Sequence, residues 1–317
     1  MMLDRLKRWI PRGRRTVVGI PLLWLCAFFI IPFALVLKVS FAEQTLAQPP
    51  YTPLVQQEEG KVTVSLSTTS YKTLSDEVDA FVHKPWSEAV QESQYLVAYG
   101  NALKLAVLTT LLTLLIGYPI AYNIARADDA TRNTLLMFVM IPFWTSFLLR
   151  VYAWIGILKD NGVINNVLMS LGITHEPIAM LYTPFSVLLG MVYNYLPFMI
   201  LPLYANLVKL DGRLLEAAAN LGCKPWPTFF QITLPLSKAG IVAGSMMVFI
   251  PAVGEYVIPS LLGGGDVVFI GNKLMEDYGV NTNWPQAAAV AVVMFILVLG
   301  PIVYLHRSEQ AAREAEQ

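Results

Sequence analysis

Of the 22 acidic residues in this 317-residue chain, a single one, Glu255, falls inside a long apolar run. It sits in Phe249-Ile250-Pro251-Ala252-Val253-Gly254-Glu255-Tyr256-Val257-Ile258-Pro259, with two prolines and a glycine around the carboxylate. Proline removes a backbone donor and clashes with the preceding turn, so this pattern predicts a broken helix with carbonyls exposed near the charge. A carboxylate beside such carbonyls suits a cation. Arg150, in Ser146-Phe147-Leu148-Leu149-Arg150-Val151-Tyr152-Ala153-Trp154, lies at a matching depth. It gives Glu255 a second reading, as one half of a salt bridge that fastens two spans and could also serve as a gate. Trp144, Tyr152, Trp154, Tyr193, Tyr195 and Tyr256 crowd the same level. Such rings form the interfacial belt of any membrane protein, and they also offer an ammonium group cation–π contacts of about 0.5–2 kcal/mol. The candidate pathway or gate residues are therefore Glu255, Arg150, Trp144, Tyr195 and Tyr256. No catalytic or metal-ligating set stands out.

A second constellation lies nearby in sequence. It reads Leu215-Glu216-Ala217-Ala218-Ala219-Asn220-Leu221-Gly222, followed nine residues later by Ile232-Thr233-Leu234-Pro235. Asp211 can cap a helix, and Leu214 to Leu221 suits a short amphipathic one. Gly222 ends that helix or permits close approach, and Pro235 marks the start of a second element. A helix–Gly–helix exposed between two spans has the form of a docking knob. The chain has no GxxxxGK[ST] loop to cradle a nucleotide phosphate, and Gly263-Gly264-Gly265-Asp266 is too weak a pattern to replace one. Cys26 and Cys223 are too far apart to bridge and are read as inert packing residues; no CxxC or Cys/His cluster suggests zinc.

These residues need a membrane frame, and the composition supplies one. Charged residues make up 14% of the chain and hydrophobic ones 56%, against about 25% charged in an ordinary globular domain. A mean hydropathy of +0.55 calls for a lipid-facing surface. The figures exclude a soluble enzyme, a disordered chain and a disulfide scaffold, and the zero net charge gives no reason for a nucleic-acid partner. A helix satisfies every backbone group within lipid, and about 20 apolar residues suffice to cross. Six stretches qualify: Val17 to Leu37, Tyr99 to Ile124, Thr134 to Leu158, Tyr182 to Leu207, Ala239 to Leu261 and Pro285 to Leu305. The first is longer than a secretory signal core and reads as an anchor. Lys and Arg concentrate in 1–16, around Arg126 and Arg132, in 208–238 and in 307–317, which predicts cytoplasmic termini. The opposite loops are acidic. Residues 42–95 form an external insertion, in which Lys61 to Leu66 alternates as a short strand would and Ser87 to Ala98 reads as a helix running into the second span. In the loop after Lys159, Asn161-Gly162 reads as a turn, and the apolar stretch Val163 to Leu171 would lie along the membrane surface. The fold class is an all-α polytopic membrane protein.

The spacing of Glu216, Ala217, Ala218, Gly222, Ile232, Leu234 and Pro235 resembles, position for position, the EAA motif of ABC importer permeases. That resemblance implies a type I importer permease fold, a five-helix core over 96–306 and a coupling helix docked in a groove of an ATPase subunit. ATP and Mg²⁺ would then be bound and consumed on that separate subunit, and this chain would need no cofactor of its own. Four further segments resemble the spermidine/putrescine-type ABC importer permeases, which are binding-protein-dependent inner-membrane components: Pro142 to Trp154, Leu158 to Asn165, Pro251 to Pro259, and Asn283-Trp284-Pro285. The similarity runs from the first span to the sixth, includes the insertion before the second, and leaves the tails aside. It implies a second permease, two ATPase subunits and a periplasmic polyamine-binding protein as partners. Permeases for opines, aminophosphonates or ferric iron are the neighbouring alternatives, though iron would want more oxygen ligands. A stand-alone secondary carrier would be expected to show inverted repeats.

Overall fold

The computed structural model describes residues 14–58, 61–265 and 267–315. Most of the basic tail 1–16 and Asp266 lie outside these residues. The described chain is helical apart from one hairpin, and it divides into two units. The first comprises the described residues of Met1–Ala80 and Leu274–Gln317, the second those of Phe81–Lys273.

In the first unit, α1 (Arg14–Ser40) is a single 27-residue helix that runs through Pro21 and Pro32. Its apolar side chains, among them Val17, Leu23 and Trp24, are exposed in the chain, as a lipid-facing helix requires. Phe33 packs on Phe295 with ring centres 4.4 Å apart, which joins α1 to the last helix. The insertion holds the antiparallel pair β1 (Val55–Glu58) and β2 (Lys61–Val64), with Val55 opposite Val64. The strand expected at Lys61 is therefore present, and it qualifies the all-α description. Before the hairpin, the loop around Gln44 is fixed by its amide, which donates to the Asn281 carbonyl at 3.1 Å. Helix α2 (Thr69–His83) follows.

The second unit begins with α3 (Trp86–Glu92) and α4 (Gln94–Arg126), with a break at Ser93. Helix α4 has 33 residues and buries Ala98, Ala102, Leu105, Thr109, Thr113, Gly117 and Ala121, spaced three or four apart along one face. Small residues let helices approach closely where lipid supplies no hydrophobic drive. A methyl group on Gly117 would stand 3.2 Å from Met199, on a helix described below.

The third apolar stretch is not one rod. Helix α5 (Asp129–Met140) passes into a 3₁₀ turn at Ile141–Trp144, Thr145 and Ser146 are extended, and α6 (Phe147–Leu158) then begins. The segments on either side of this break, Asp129–Trp144 and Phe147–Ser170, meet at 89°. Pro142 lacks the N–H that would continue the α pattern, so the Thr134 to Leu158 span is corrected to a bent pair. Asn161-Gly162 forms a turn, as expected, into α7 (Val163–Ser170).

Helix α8 (Pro184–Leu207) starts with a reciprocal cap: the Ser186 amide donates to the Thr183 hydroxyl, and the Thr183 amide to that of Ser186. Helices α9 (Arg213–Asn220), α10 (Pro225–Thr228) and α11 (Leu234–Leu236), with a π turn over Phe229–Thr233, make up the following loop. Then come α12 (Lys238–Val253), α13 (Val257–Leu262) and α14 (Ile270–Met275). The 225–236 segment and α12 are bent by 66° at Ser237. Helices α4, α8 and α12 form the core of this unit. Gly244 lies so close to Met199 that a methyl group would stand 2.8 Å from its sulfur.

In the first unit, α15 (Trp284–Ala315) closes the chain. Among the described residues three helices are long and apolar enough to span a membrane, and the number rises to at most five if each bent pair is one span. Helix α15 contributes the apolar stretch Trp284–Gly300.

Candidate translocation site and docking loop

The helix interruption expected around Glu255 is present. Helix α12 ends at Val253 and α13 starts at Val257, leaving Gly254, Glu255 and Tyr256 between them. Close packing positions this break. A methyl group on Gly190 of α8 would stand 2.6 Å from Leu262 and 3.1 Å from Ile258 of α13. The Ser186 hydroxyl donates to the Leu262 carbonyl at 2.8 Å. These contacts lay α13 along α8.

The consequence is a carboxylate held at both oxygens. The hydroxyl of Tyr195, on α8, donates to Glu255 Oε2 at 2.7 Å. Glu255 Oε1 accepts the backbone N–H groups of Val257 at 3.0 Å and Ile258 at 3.4 Å. Those are the first amides of α13, whose unpaired N–H groups favour a negative charge. A carboxylate offers about four acceptor positions, so capacity remains for a donor from outside. Glu255 is only partly buried. On the other side of the break, Asn272 of α14 donates to the Ser260 hydroxyl at 2.6 Å, while its own Oδ1 is buried without a hydrogen-bond partner. The chemistry on offer is acceptor-rich and anionic, fit for a cationic N–H donor.

Arg150 takes no part in it. Among the described residues no ion pair joins Arg150 to Glu255, so the salt-bridge reading is corrected. Arg150 lies 4.9 Å from the ring centre of Phe143 and 5.9 Å from that of Phe147. Its Nε and Nη1 are buried without a hydrogen-bond partner. The physical reason is the bend in the third span, which places the guanidinium against its own segment's aromatic rings. Trp144, at the end of the 3₁₀ turn, is 80% exposed, and Tyr256 is 39% exposed, whereas Tyr195 is buried. Of the five candidates, Tyr195 and Glu255 are brought together. Trp154 instead meets Tyr193 edge-on at 5.5 Å. Asn272, Ser260 and Gly271, which lies against the Glu255 backbone, join the site through tertiary packing, and their local sequence pattern carries no signal of it.

The 208–238 loop follows the expected outline except at the helix start, where the N-cap is Gly212 without a side-chain cap bond and Asp211 sits one residue earlier. The Arg213 amide donates to Asp211 Oδ1 at 3.0 Å, and α9 carries Glu216, Ala217 and Ala218. Glu216 and Ala217 are exposed, while Ala218 is buried. Gly222 has φ +79°, and around it Cys223 N–H reaches the Ala218 carbonyl at 3.0 Å and Gly222 N–H that of Ala219 at 2.9 Å. This double closure is a Schellman end, for which glycine is the usual residue. A further expectation is corrected: the second element starts at Pro225, and Pro235 lies inside it, just after the π turn. Ile232 and Leu234 are half-buried and Pro235 is exposed. Leu221 and Trp226 present apolar surface, 84% and 74% exposed. Cys26 and Cys223 are free and exposed, not packing residues of this chain.

Comparison with known proteins settles the family. The model of the binding-protein-dependent transport system inner membrane components matches residues 110–307. The chain belongs to this family. It is therefore a multi-pass inner-membrane transport permease component. It is 34% identical over 297 residues to the spermidine/putrescine transport system permease protein PotB of Haemophilus influenzae, covering 94% of each chain. With the protein of the same name from Escherichia coli it shares 32% over 302 residues, covering 95% and 98%. Among solved structures, a bacterial ABC transporter involved in the import of the acidic polysaccharide alginate has a chain that superposes with a TM-score of 0.60 at 16% identity, covering 98% of each. That likeness establishes the permease fold.

Proposed function

We propose that this chain is one of two permease subunits of an ATP-driven importer for polyamines of the putrescine and spermidine class. The observation that carries the reading is the end-to-end similarity to the spermidine/putrescine permeases, at 34% identity over 94% of both chains. The site agrees with it chemically. Glu255 keeps acceptor capacity beside the Tyr195 ring, and an extended diamine needs carboxylates and aromatic faces at both ends. One carboxylate serves one ammonium group, so the second permease supplies the others.

In this reading both termini are cytoplasmic, the 42–95 insertion is external, and the 213–220 helix docks on one of two ATPase subunits that bind ATP and Mg²⁺. A periplasmic polyamine-binding protein delivers the solute. Closure of the ATPase pair moves the docked helices and switches the pathway between inward and outward access, a hinge-type transition. Glu255 receives the ammonium, and Tyr195 holds the carboxylate in place.

The test is reconstitution. The complex purified through this chain is expected to contain an ATPase subunit and to import labelled putrescine into proteoliposomes only with ATP, with spermidine competing and neutral solutes not. A complex without an ATPase whose uptake persists without ATP sinks the importer reading. Uptake that ignores both polyamines sinks the substrate.

A further inference from the structure

Movement of a docked 213–220 helix has to reach the spans, and the fold offers a specific joint for it. We propose that Tyr118 and Ser237, with Phe229 beside them, form that joint, so that the docking loop and helix α4 move as one body; this rests on the importer reading above.

Three observations converge. First, the loop is jointed and soft on the α12 side. Leu234 N–H reaches back five residues to the Phe229 carbonyl in the π turn, Pro235 has no N–H to give, and the chain bends by 66° at Ser237. π turns and prolines are recurrent causes of helix bending.

Second, a buried hydrogen bond crosses from that bend to α4. Tyr118 and Ser237 are 7% and 0% exposed, and their hydroxyl oxygens are 2.8 Å apart. The Ser237 hydroxyl donates to the Leu234 carbonyl at 3.0 Å. Serine has one hydroxyl hydrogen, so Tyr118 is the donor across the joint and Ser237 the acceptor. Third, Phe229 meets two rings of α4 edge-on, Tyr118 at 5.5 Å and Tyr122 at 6.2 Å, and Arg126 covers Tyr122 at 4.6 Å. The start of the loop is looser: a cavity of about 200 Å³ lies between Gly212 and Tyr122, Ala125 and Arg126. The 225–237 end of the loop, not its 208–212 end, therefore grips α4.

Helix α4 packs tightly on α8 through Gly117 and Met199, and α8 carries Tyr195. A push on the loop thus reaches the helix that holds Glu255. Tyr118 and Ser237 are positioning residues that act through packing and touch no solute.

Tyr118→Phe keeps the ring and removes only the donor, while Ser237→Ala removes the acceptor together with the Ser237 bond to the Leu234 carbonyl. In the complete complex each is expected to lower labelled putrescine import per ATP hydrolysed roughly fivefold, the worth of one neutral hydrogen bond. Complex yield and ATP hydrolysis should stay near wild type. The double variant should be no worse than either single one. A purely structural role would lower yield, hydrolysis and import together. Equal import per ATP in all variants overturns the proposal.

A second measurement does not depend on the solute. Spin labels on native Cys223 and on Asn123→Cys, in a Cys26→Ser background, report the loop-to-α4 distance. It should be narrow and unchanged between nucleotide-free and vanadate-trapped wild type, and broad after Tyr118→Phe. A wild-type distance that shifts between the two states overturns the joint. A preparation with no ATPase overturns the importer reading instead.

Discussion

Gly271 lies against the backbone at Glu255 so closely that a methyl group there would stand 2.7 Å from the Glu255 carbonyl oxygen and 2.8 Å from that of Gly254. Both neighbours are backbone, so no side chain can turn aside to relieve the contact. Gly271→Ala is expected to destabilise the purified complex by about 1–3 kcal/mol, as overpacking does, and to lower uptake by shifting the break. Thermal unfolding in detergent and uptake in proteoliposomes check the two parts. A melting curve and uptake that match wild type would show that the contact is not held so tightly.

Removing the charge at the break is the sharper experiment. Glu255→Gln should leave assembly intact and lower putrescine uptake about tenfold or more, since hydrogen bonds to a charged group contribute about 1.5–3 kcal/mol. Tyr195→Phe should lower uptake less, because the two amides of α13 still hold Oε1. Unchanged uptake in an assembled Glu255→Gln transporter would leave the carboxylate without a role in the pathway.

Arg150 supplies a test of independence. It makes no ion pair with Glu255, so Arg150→Met and Glu255→Gln should be additive in thermal stability to within about 0.5 kcal/mol. Arg150→Met alone should be neutral or stabilising, since it replaces a cation with unmet donors by an apolar chain. A coupling well above that limit would restore the ion pair.

At the docking loop, Gly222 has open space around its α carbon and φ +79°. Gly222→Ala therefore meets no clash and costs only the left-handed conformation, about 1–2 kcal/mol. If this loop docks an ATPase subunit as proposed, the substitution should weaken that subunit's retention during purification, measured as ATPase bound per permease, without altering expression.

The cap of α5 sets an acid limit. Asp128 lies below the usual carboxylate range, chiefly through the Thr131 backbone N–H that donates to it at 3.1 Å. A lowered folded value means that the stabilisation is present above the unfolded carboxylate value and lost as pH falls through the folded one. The protection of amides at the start of α5, taken relative to their intrinsic exchange rate at each pH, should fall on acidification below that range, and Asp128→Ala should abolish this dependence. An unaltered profile in the variant would assign the effect elsewhere.

Legibility tracked how local each feature is. Glu216 to Gly222 could be read because Asp211, a short amphipathic turn and a glycine stop all lie within a dozen residues. The break at Glu255 was equally local, written in Pro251, Gly254 and Pro259. Its hydrogen-bond partner was not: Tyr195 is 60 residues away, and Arg150 offered a more obvious opposite charge at similar depth. Only the 89° bend at Thr145 and Ser146 removes Arg150 from contention, and nothing in that stretch beyond Pro142 announces a bend of that size. The π turn was hidden for a related reason. Pro235 reads as a helix start in sequence, yet the helix begins at Pro225 and accommodates the later proline by widening the turn before it.

The same 89° bend bears on what surrounds this segment in its membrane. Helix α6 has 12 residues and rises about 18 Å, well short of a hydrocarbon core of about 30 Å. Neither α5 nor α6, at 12 residues each, spans alone, and extended backbone such as that at Thr145 and Ser146 is not tolerated against lipid. The break therefore calls for protein and not lipid around it at membrane depth, and α4, which precedes it in the chain, has the length to cross the bilayer.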